Sequence, residues 1–137
     1  MAAITITAAN VGLGSDAEYQ ELLGGETIPH GNPVHQSALN VGKHLRALNN
    51  GTAEQATVVG VTATRGTDGG KMIVVTSGTI ELGGSVTDGT LYFLGATAGT
   101  IVPEGDLVSG NKKVLIGVGV GTTALRVNIL NTGATIA

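Results

Sequence analysis

Residues 113–121 read Lys-Val-Leu-Ile-Gly-Val-Gly-Val-Gly, and side chains of two kinds alternate along this stretch. The β-branched set is Val114, Ile116, Val118 and Val120, and the opposing set is Leu115, Gly117, Gly119 and Gly121. Alternation with a period of two is typical of a β-strand with one buried face. The glycine-bearing face carries almost no side chains, so we expect another backbone or a neighbouring subunit to approach it closely.

Similar short segments recur along the chain at Ile4–Thr7, Val58–Thr64, Met72–Thr76, Thr79–Leu82, Thr90–Leu94, Thr100–Val102 and Ala124–Leu130. After Val58, turn signals such as Ser77-Gly78 arrive about every ten residues, a spacing that indicates an all-β sandwich or barrel. Parallel strands need crossover connections, and no segment after Val58 supplies a crossover helix. The sequence therefore predicts an all-β fold, a small antiparallel β-barrel or sandwich with an extended N-terminal arm.

Residues 1–24 differ in pattern from residues 25–137, so we predict an arm followed by a β-barrel or sandwich body. Two interpretations of the arm stay open. It packs on its own domain, or it reaches a neighbouring subunit, because terminal segments are the ones freest to do so.

Within the arm, Ile4–Thr7 predicts a short strand and Asn10–Gly14 a turn. Ser15 is followed three residues later by Glu18, which fits a capping box. This pattern predicts one or two helical turns within Ser15–Leu23.

Ala38–Asn49 is ambiguous, because its apolar residues fit both helical spacing and the parity of a strand. Gly42 would cost a helix about 1 kcal/mol. We therefore favour extended structure here.

Composition excludes several classes of partner. The net charge is −3, only 12% of residues are charged, and of the seven Lys and Arg residues only Lys112 and Lys113 are adjacent. Proteins that bind nucleic acids usually cluster their basic residues, so we expect no nucleic-acid partner. No apolar run reaches the roughly 18 residues of a membrane span, so we expect no membrane partner either.

The chain has no cysteine and no tryptophan, and its apolar residues are mainly aliphatic. Disulfides and thiolate metal sites are thereby excluded. Its 23 glycines raise the entropic cost of folding. Burial of aliphatic surface between subunits would offset that cost, so we expect an oligomer.

No motif in the sequence indicates chemistry. Gly117, Gly119 and Gly121 lack both the dinucleotide spacing and a following helix. His30, His35 and His44 are interpreted as surface or interface histidines rather than metal ligands. We therefore expect no catalytic residue, no cofactor and no metal, and no enzymatic activity.

Several segments together resemble the small capsid decoration, or cement, proteins of tailed bacteriophages. They run in the same order along residues 25–130 and are Gly31–Val34, Ala56–Val61, Ile73–Ile80, Asp88–Leu94, Gly99–Ile101, Ile116–Val120 and Leu125–Ile129. The resemblance implies a compact β domain on the outer capsid surface of the virion, made in the host cytoplasm and commonly trimeric. There it would clamp neighbouring major capsid proteins after the shell expands, and the family has no catalytic residues to transfer.

On this hypothesis the N-terminal arm adds a strand to an edge of the capsid protein, a recurring mode of recognition. The predicted contact residues are Ala3, Ile4, Thr5, Ile6 and Thr7 together with the acidic residues Asp16, Glu18 and Glu21. The alternative is a tail-fibre or receptor-binding β module of the same kind of virion. Such a module would expose aromatic or polar residues for a receptor, and the chain is poor in aromatics.

Overall fold

The computed structural model describes Ile4, Ile6, residues 11–37 and residues 42–136. Its strands are β1 Gly12–Leu13, β2 Glu18–Gly24, β3 Pro33–Gln36, β4 Lys43–Arg46, β5 Gly60–Thr62, β6 Lys71–Glu81, β7 Leu91–Leu94, β8 Ile101–Pro103, β9 Lys112–Val120 and β10 Ala124–Thr135. A short 3₁₀ helix, Glu104–Asp106, follows β8. No helix within these ranges has the length and apolar character needed to cross a membrane.

The strands form one sheet in the order β2-β4-β3-β5-β6-β10-β9-β7-β8, with β1 paired to β6. Strand β2 also pairs with β6, so β2, β4, β3, β5 and β6 form a ring from which the remaining strands extend as an open sheet. The predicted all-β class is confirmed, although the sheet as a whole is not a closed barrel. Among the named strands, β2 and β4 pair in parallel and the other pairs are antiparallel.

Two hydrophobic clusters fill this architecture. The larger contains the fully buried residues Ile80, Leu82, Leu94, Ile116 and Leu125. The smaller combines Ile28, Val34, Met72 and Val74, with Leu22 packed against it. Each buried aliphatic side chain stabilises the fold by about 1.5–3 kcal/mol. Strand β6 supplies residues to both clusters and so joins the ring to the open sheet.

Gly78 lies inside β6, at a point where another part of the chain passes close to the strand. The sequence predicts a turn at Ser77-Gly78, but β6 continues through it from Lys71 to Glu81. Gly78 has a positive φ of 87°, a conformation that glycine adopts readily, and the strand continues through it. A Cβ there would collide with the backbone oxygen of Asp16, because the chain before β2 crosses closely at this point.

The burial of β9 differs from the prediction along its second half. Val114 and Ile116 are buried as expected, but Val118 is half-buried and Val120 is exposed. A register shift between β9 and β7 lies between Leu115 and Gly117 and changes which face points inward. The expected close approach to the glycine face does occur, and it comes from the chain's own backbone, since a Cβ at Gly119 would meet the oxygen of Thr87.

The helical prediction for Ser15–Leu23 is wrong, because Glu18–Gly24 forms β2. Residues 12 and 13 of the predicted turn form β1. In both places a pairing with β6 satisfies the backbone, and tertiary pairing overrides the local capping pattern.

The extended prediction for Ala38–Asn49 is confirmed at β4, and residues 38–41 lie outside the described part. The proposed boundary at residue 24 stays a prediction.

Candidate interaction surface

The N-terminal isoleucines lie against the molecule's own core. Ile4 is 7% exposed, and its backbone N–H donates a hydrogen bond to the Ile101 carbonyl oxygen at 2.9 Å. Ile6 packs on the same cluster, and its Cδ1 lies 2.9 Å from the position of a Cβ on Gly31. A side chain buried in this way offers little surface to a partner. The predicted contacts Ala3, Thr5 and Thr7 fall outside the described residues.

Asp16 is exposed but has a structural task. Its Oδ1 accepts a hydrogen bond from the Thr79 backbone N–H at 3.0 Å, and its Oδ2 accepts one from the Thr79 hydroxyl at 3.3 Å. Between β1 and β2 the chain forms no strand pairs with β6, and there the Asp16 carboxylate replaces a backbone carbonyl as the acceptor for β6. These hydrogen bonds hold the pKa of the Asp16 carboxyl below its usual value, since they favour the ionised form.

Glu18 and Glu21 both lie exposed on β2. The strand pairs with β6 along one side, from Glu18 opposite Ser77 to Leu23 opposite Lys71. On its other side, only Leu23 and Gly24 pair with β4. Within the described part of the chain, residues 18–22 therefore present an open strand edge.

Two exposed apolar side chains on β2 were not identified from the sequence. Tyr19 is 54% exposed and Leu23 is 38% exposed. They lie four residues apart in the alternating series Tyr19, Glu21 and Leu23, and this period of two was the signal that the capping box concealed. We call residues 18–22, whose backbone is open on this side, together with the exposed side chain of the adjoining Leu23, the β2 edge.

A second group of apolar side chains lies on the strands farther from the ring. Leu91 pairs with Val118, and Leu115 pairs with Leu130, so each pair shares a face of the sheet. Leu91 is 47% exposed and Leu130 is 57% exposed. Single exposed apolar side chains are common on protein surfaces, so these two do not by themselves mark an interaction site.

The histidines predicted to lie at the surface or at an interface are placed differently. His35 is 2% exposed and His44 is 6% exposed, whereas His30 is half-buried. The Nδ1 of His44 donates to the Leu23 carbonyl oxygen at 3.2 Å, at the parallel junction of β2 and β4. Burial lowers the pKa of the His44 imidazole, and nearby His35 adds to that effect, although the hydrogen bond to Leu23 opposes it.

Among the residues that the structure describes, neither these histidines nor the acidic residues assemble a metal site. No group of three or more potential ligands converges in the described ranges. His35 Nδ1 lies 3.8 Å from Glu54 Oε1 and 3.0 Å from its neighbour's carbonyl oxygen, on Gln36. Glu104 and Asp106 form the 3₁₀ helix after β8.

A scan against protein-family models and a search of the curated proteins gave no match to this chain.

Proposed function

We propose that this protein is a virion structural protein of a tailed bacteriophage. It decorates the outer capsid surface and stabilises the expanded shell by bridging neighbouring major capsid proteins. It acts as a homotrimer and makes or breaks no covalent bond. The order of the landmark segments from Gly31 to Ile129 supports this assignment, since it resembles the order in capsid decoration proteins.

The observation that carries the proposal is the open β2 edge. Backbone groups along an unpaired strand edge can accept a strand from another protein. Tyr19 and Leu23 add exposed apolar surface beside that edge, and Glu18 and Glu21 add negative charge. A partner strand with apolar and basic residues would complement both features.

The pairing of β2 with β6 makes this edge a firm support. Because β6 contributes residues to both hydrophobic clusters, its pairing with β2 anchors β2 to the core of the molecule. A trimer presents three such edges at once. Linked binding sites raise the overall affinity by orders of magnitude without any new contact, which suits a protein that clamps several neighbours.

A binding assay with purified capsid shells tests the proposal. Expanded and unexpanded shells are mixed with the protein and sedimented, and the bound copies are counted. We expect saturable binding to expanded shells, and intact heads should carry the protein in hundreds of copies, as its partner is a repeated shell subunit. Recovery on tails in a few copies would instead favour the tail-fibre alternative, and recovery on neither would contradict both.

Single substitutions localise the contact. Tyr19→Ser on the β2 edge should weaken shell binding, because it removes exposed apolar surface where the partner strand lies. Val108→Ser, at a side chain of similar exposure in the loop before β9, is the matched control and should leave shell binding unchanged. These substitutions are cleaner than deletion of residues 2–14, which would also remove Ile4 from the core and β1 from β6.

A further inference from the structure

Lys112 and Lys113 are the adjacent basic pair of a chain that has few charges. Lys43, Arg46 and Lys71 each have a carboxylate oxygen within 4.0 Å. Across the described ranges, neither Lys112 nor Lys113 forms such a pair. Their charges are therefore not balanced by a carboxylate, and a bound anion would balance them.

The two lysines border a cavity of about 220 Å³ at the start of β9. Its remaining walls are Ala53, Ala56, Thr57, Val114 and Asn131. The Asn131 amide is already engaged, since Oδ1 accepts from the Val58 backbone N–H at 2.9 Å and Nδ2 donates to the Val58 carbonyl oxygen at 3.2 Å. The cavity is therefore largely apolar inside, and its available charge comes from the two lysines.

Contacts within the chain fix the positions of both ammonium groups. Lys112 Nζ donates to the Gly51 carbonyl oxygen at 3.1 Å. Lys113 Nζ lies 5.4 Å from the centroid of the Phe93 ring, within the range of a cation–π contact. An ammonium group has three N–H donors, so each lysine keeps donors for a ligand. Positioning before binding reduces the entropy lost on binding.

The volume of the cavity limits which ligands it can bind. Pockets for small-molecule ligands usually have volumes of about 300–1,000 Å³. A cavity of about 220 Å³ suits a single side chain better than a whole metabolite. Apolar walls with cations beside them match a short aliphatic stem that ends in a carboxylate.

We propose that this cavity, the lysine pocket, binds the carboxylate side chain of a glutamate or aspartate presented by a partner protein. The inference rests on the proposed function, in which the partner is the major capsid protein. Lys113 also borders a second cavity with Glu104. Glu104 forms no ion pair with Lys113 in the described structure, so both ammonium groups stay available to the partner's carboxylate.

The shell-binding assay tests the contact. The double variant Lys112→Gln with Lys113→Gln should bind expanded shells at least about tenfold more weakly, since hydrogen bonds to charged groups are among the stronger ones. Ala53→Met fills the cavity without changing charge and should weaken binding as well. Arg65→Gln removes one exposed charge away from both the cavity and the β2 edge and should have no effect. Equal binding by wild type and the double variant, or an equal loss in Arg65→Gln, would overturn the lysine pocket while leaving the decoration function in place.

A titration of the isolated protein separates the two proposals. N-acetylglutamate α-amide is added in the millimolar range, and amide chemical shifts are followed by NMR. We expect saturating shifts at Ala53, Ala56 and Lys112 that disappear in the double variant. If these shifts occur but the wild-type protein does not bind the shells, the proposed decoration function is wrong and the proposed lysine pocket is supported. No shifts at these residues, or tighter binding of inorganic phosphate in a parallel titration, would overturn the carboxylate assignment.

Discussion

Asp16 shows how a residue that resembles a surface contact can instead complete the fold. The sequence places it in an acidic patch, and an acidic patch commonly faces a partner. In the structure its two oxygens accept both hydrogen bonds from Thr79. The distinction was invisible in the sequence, because nothing local to Asp16 reveals that β6 passes beside it.

The stability contributed by Asp16 should depend on pH. Its pKa is lowered in the folded state, so the contribution is present above the ordinary pKa of about 3.9 and is lost as the pH falls through the lower folded value. Asp16→Ala should therefore be less stable than wild type at pH 7, and the difference should shrink toward pH 3. Urea unfolding across this range measures it. Asp16→Asn keeps one oxygen acceptor and should lie between the two, whereas a pH-independent difference would contradict the explanation.

At the scale of elements, side-chain alternation predicted the strands of the open sheet well. Val114 and Ile116 are buried on β9, and Leu125 and Val127 are buried on β10. Alternation succeeds there because one face packs against the core. It fails where the backbone changes register, since a bulge reverses the faces without any mark in the apolar pattern. Within the candidate site, the sequence predicted Glu18 and Glu21 as contact residues. It did not predict the open strand edge, because that edge depends on pairing between strands that are distant in the sequence.

Substitution of Gly78 tests whether β6 needs a glycine at this position. Gly78→Ala should destabilise the protein by more than the roughly 1–2 kcal/mol that a left-handed conformation costs alanine, because its Cβ also collides with the Asp16 backbone. Gly89→Ala is the matched control, since Gly89 has a φ of 77° but open space around its Cβ position. Urea denaturation gives both free energies of unfolding. Equal losses would mean that the close crossing at Gly78 contributes nothing.

The junction of β2 with β4 should be sensitive to acid. Burial lowers the pKa of His44, so its neutral form supports the fold. Stability is fully present above the unfolded pKa of about 6.5 and falls as the pH drops through the lower folded value, because the unfolded chain binds the proton first. Wild type should melt at a lower temperature at pH 5.5 than at pH 7.5, and His44→Gln should lose most of that difference. Lys43→Gln, on the same strand, should retain it.

At the scale of the whole molecule, the two hydrophobic clusters should unfold together. They share β6, so neither the ring nor the open sheet keeps its packing alone. Met72→Ala in the ring and Leu125→Ala in the open sheet should each cost about 2–5 kcal/mol, the usual range for such core truncations. Circular dichroism and hydrogen exchange should report one coincident transition in both variants. Two separated transitions would show that the ring and the open sheet are independent units.

The placement of the two tyrosines gives this protein a built-in optical reporter. Tyr92 is 2% exposed and its hydroxyl accepts a hydrogen bond from the Thr87 backbone N–H, whereas Tyr19 stands on the β2 edge. The chain has no tryptophan, and its tyrosine fluorescence comes from these two phenols. Iodide should selectively quench the fluorescence of the exposed Tyr19. Protection of Tyr19 from iodide would then report the binding of a partner without any attached dye.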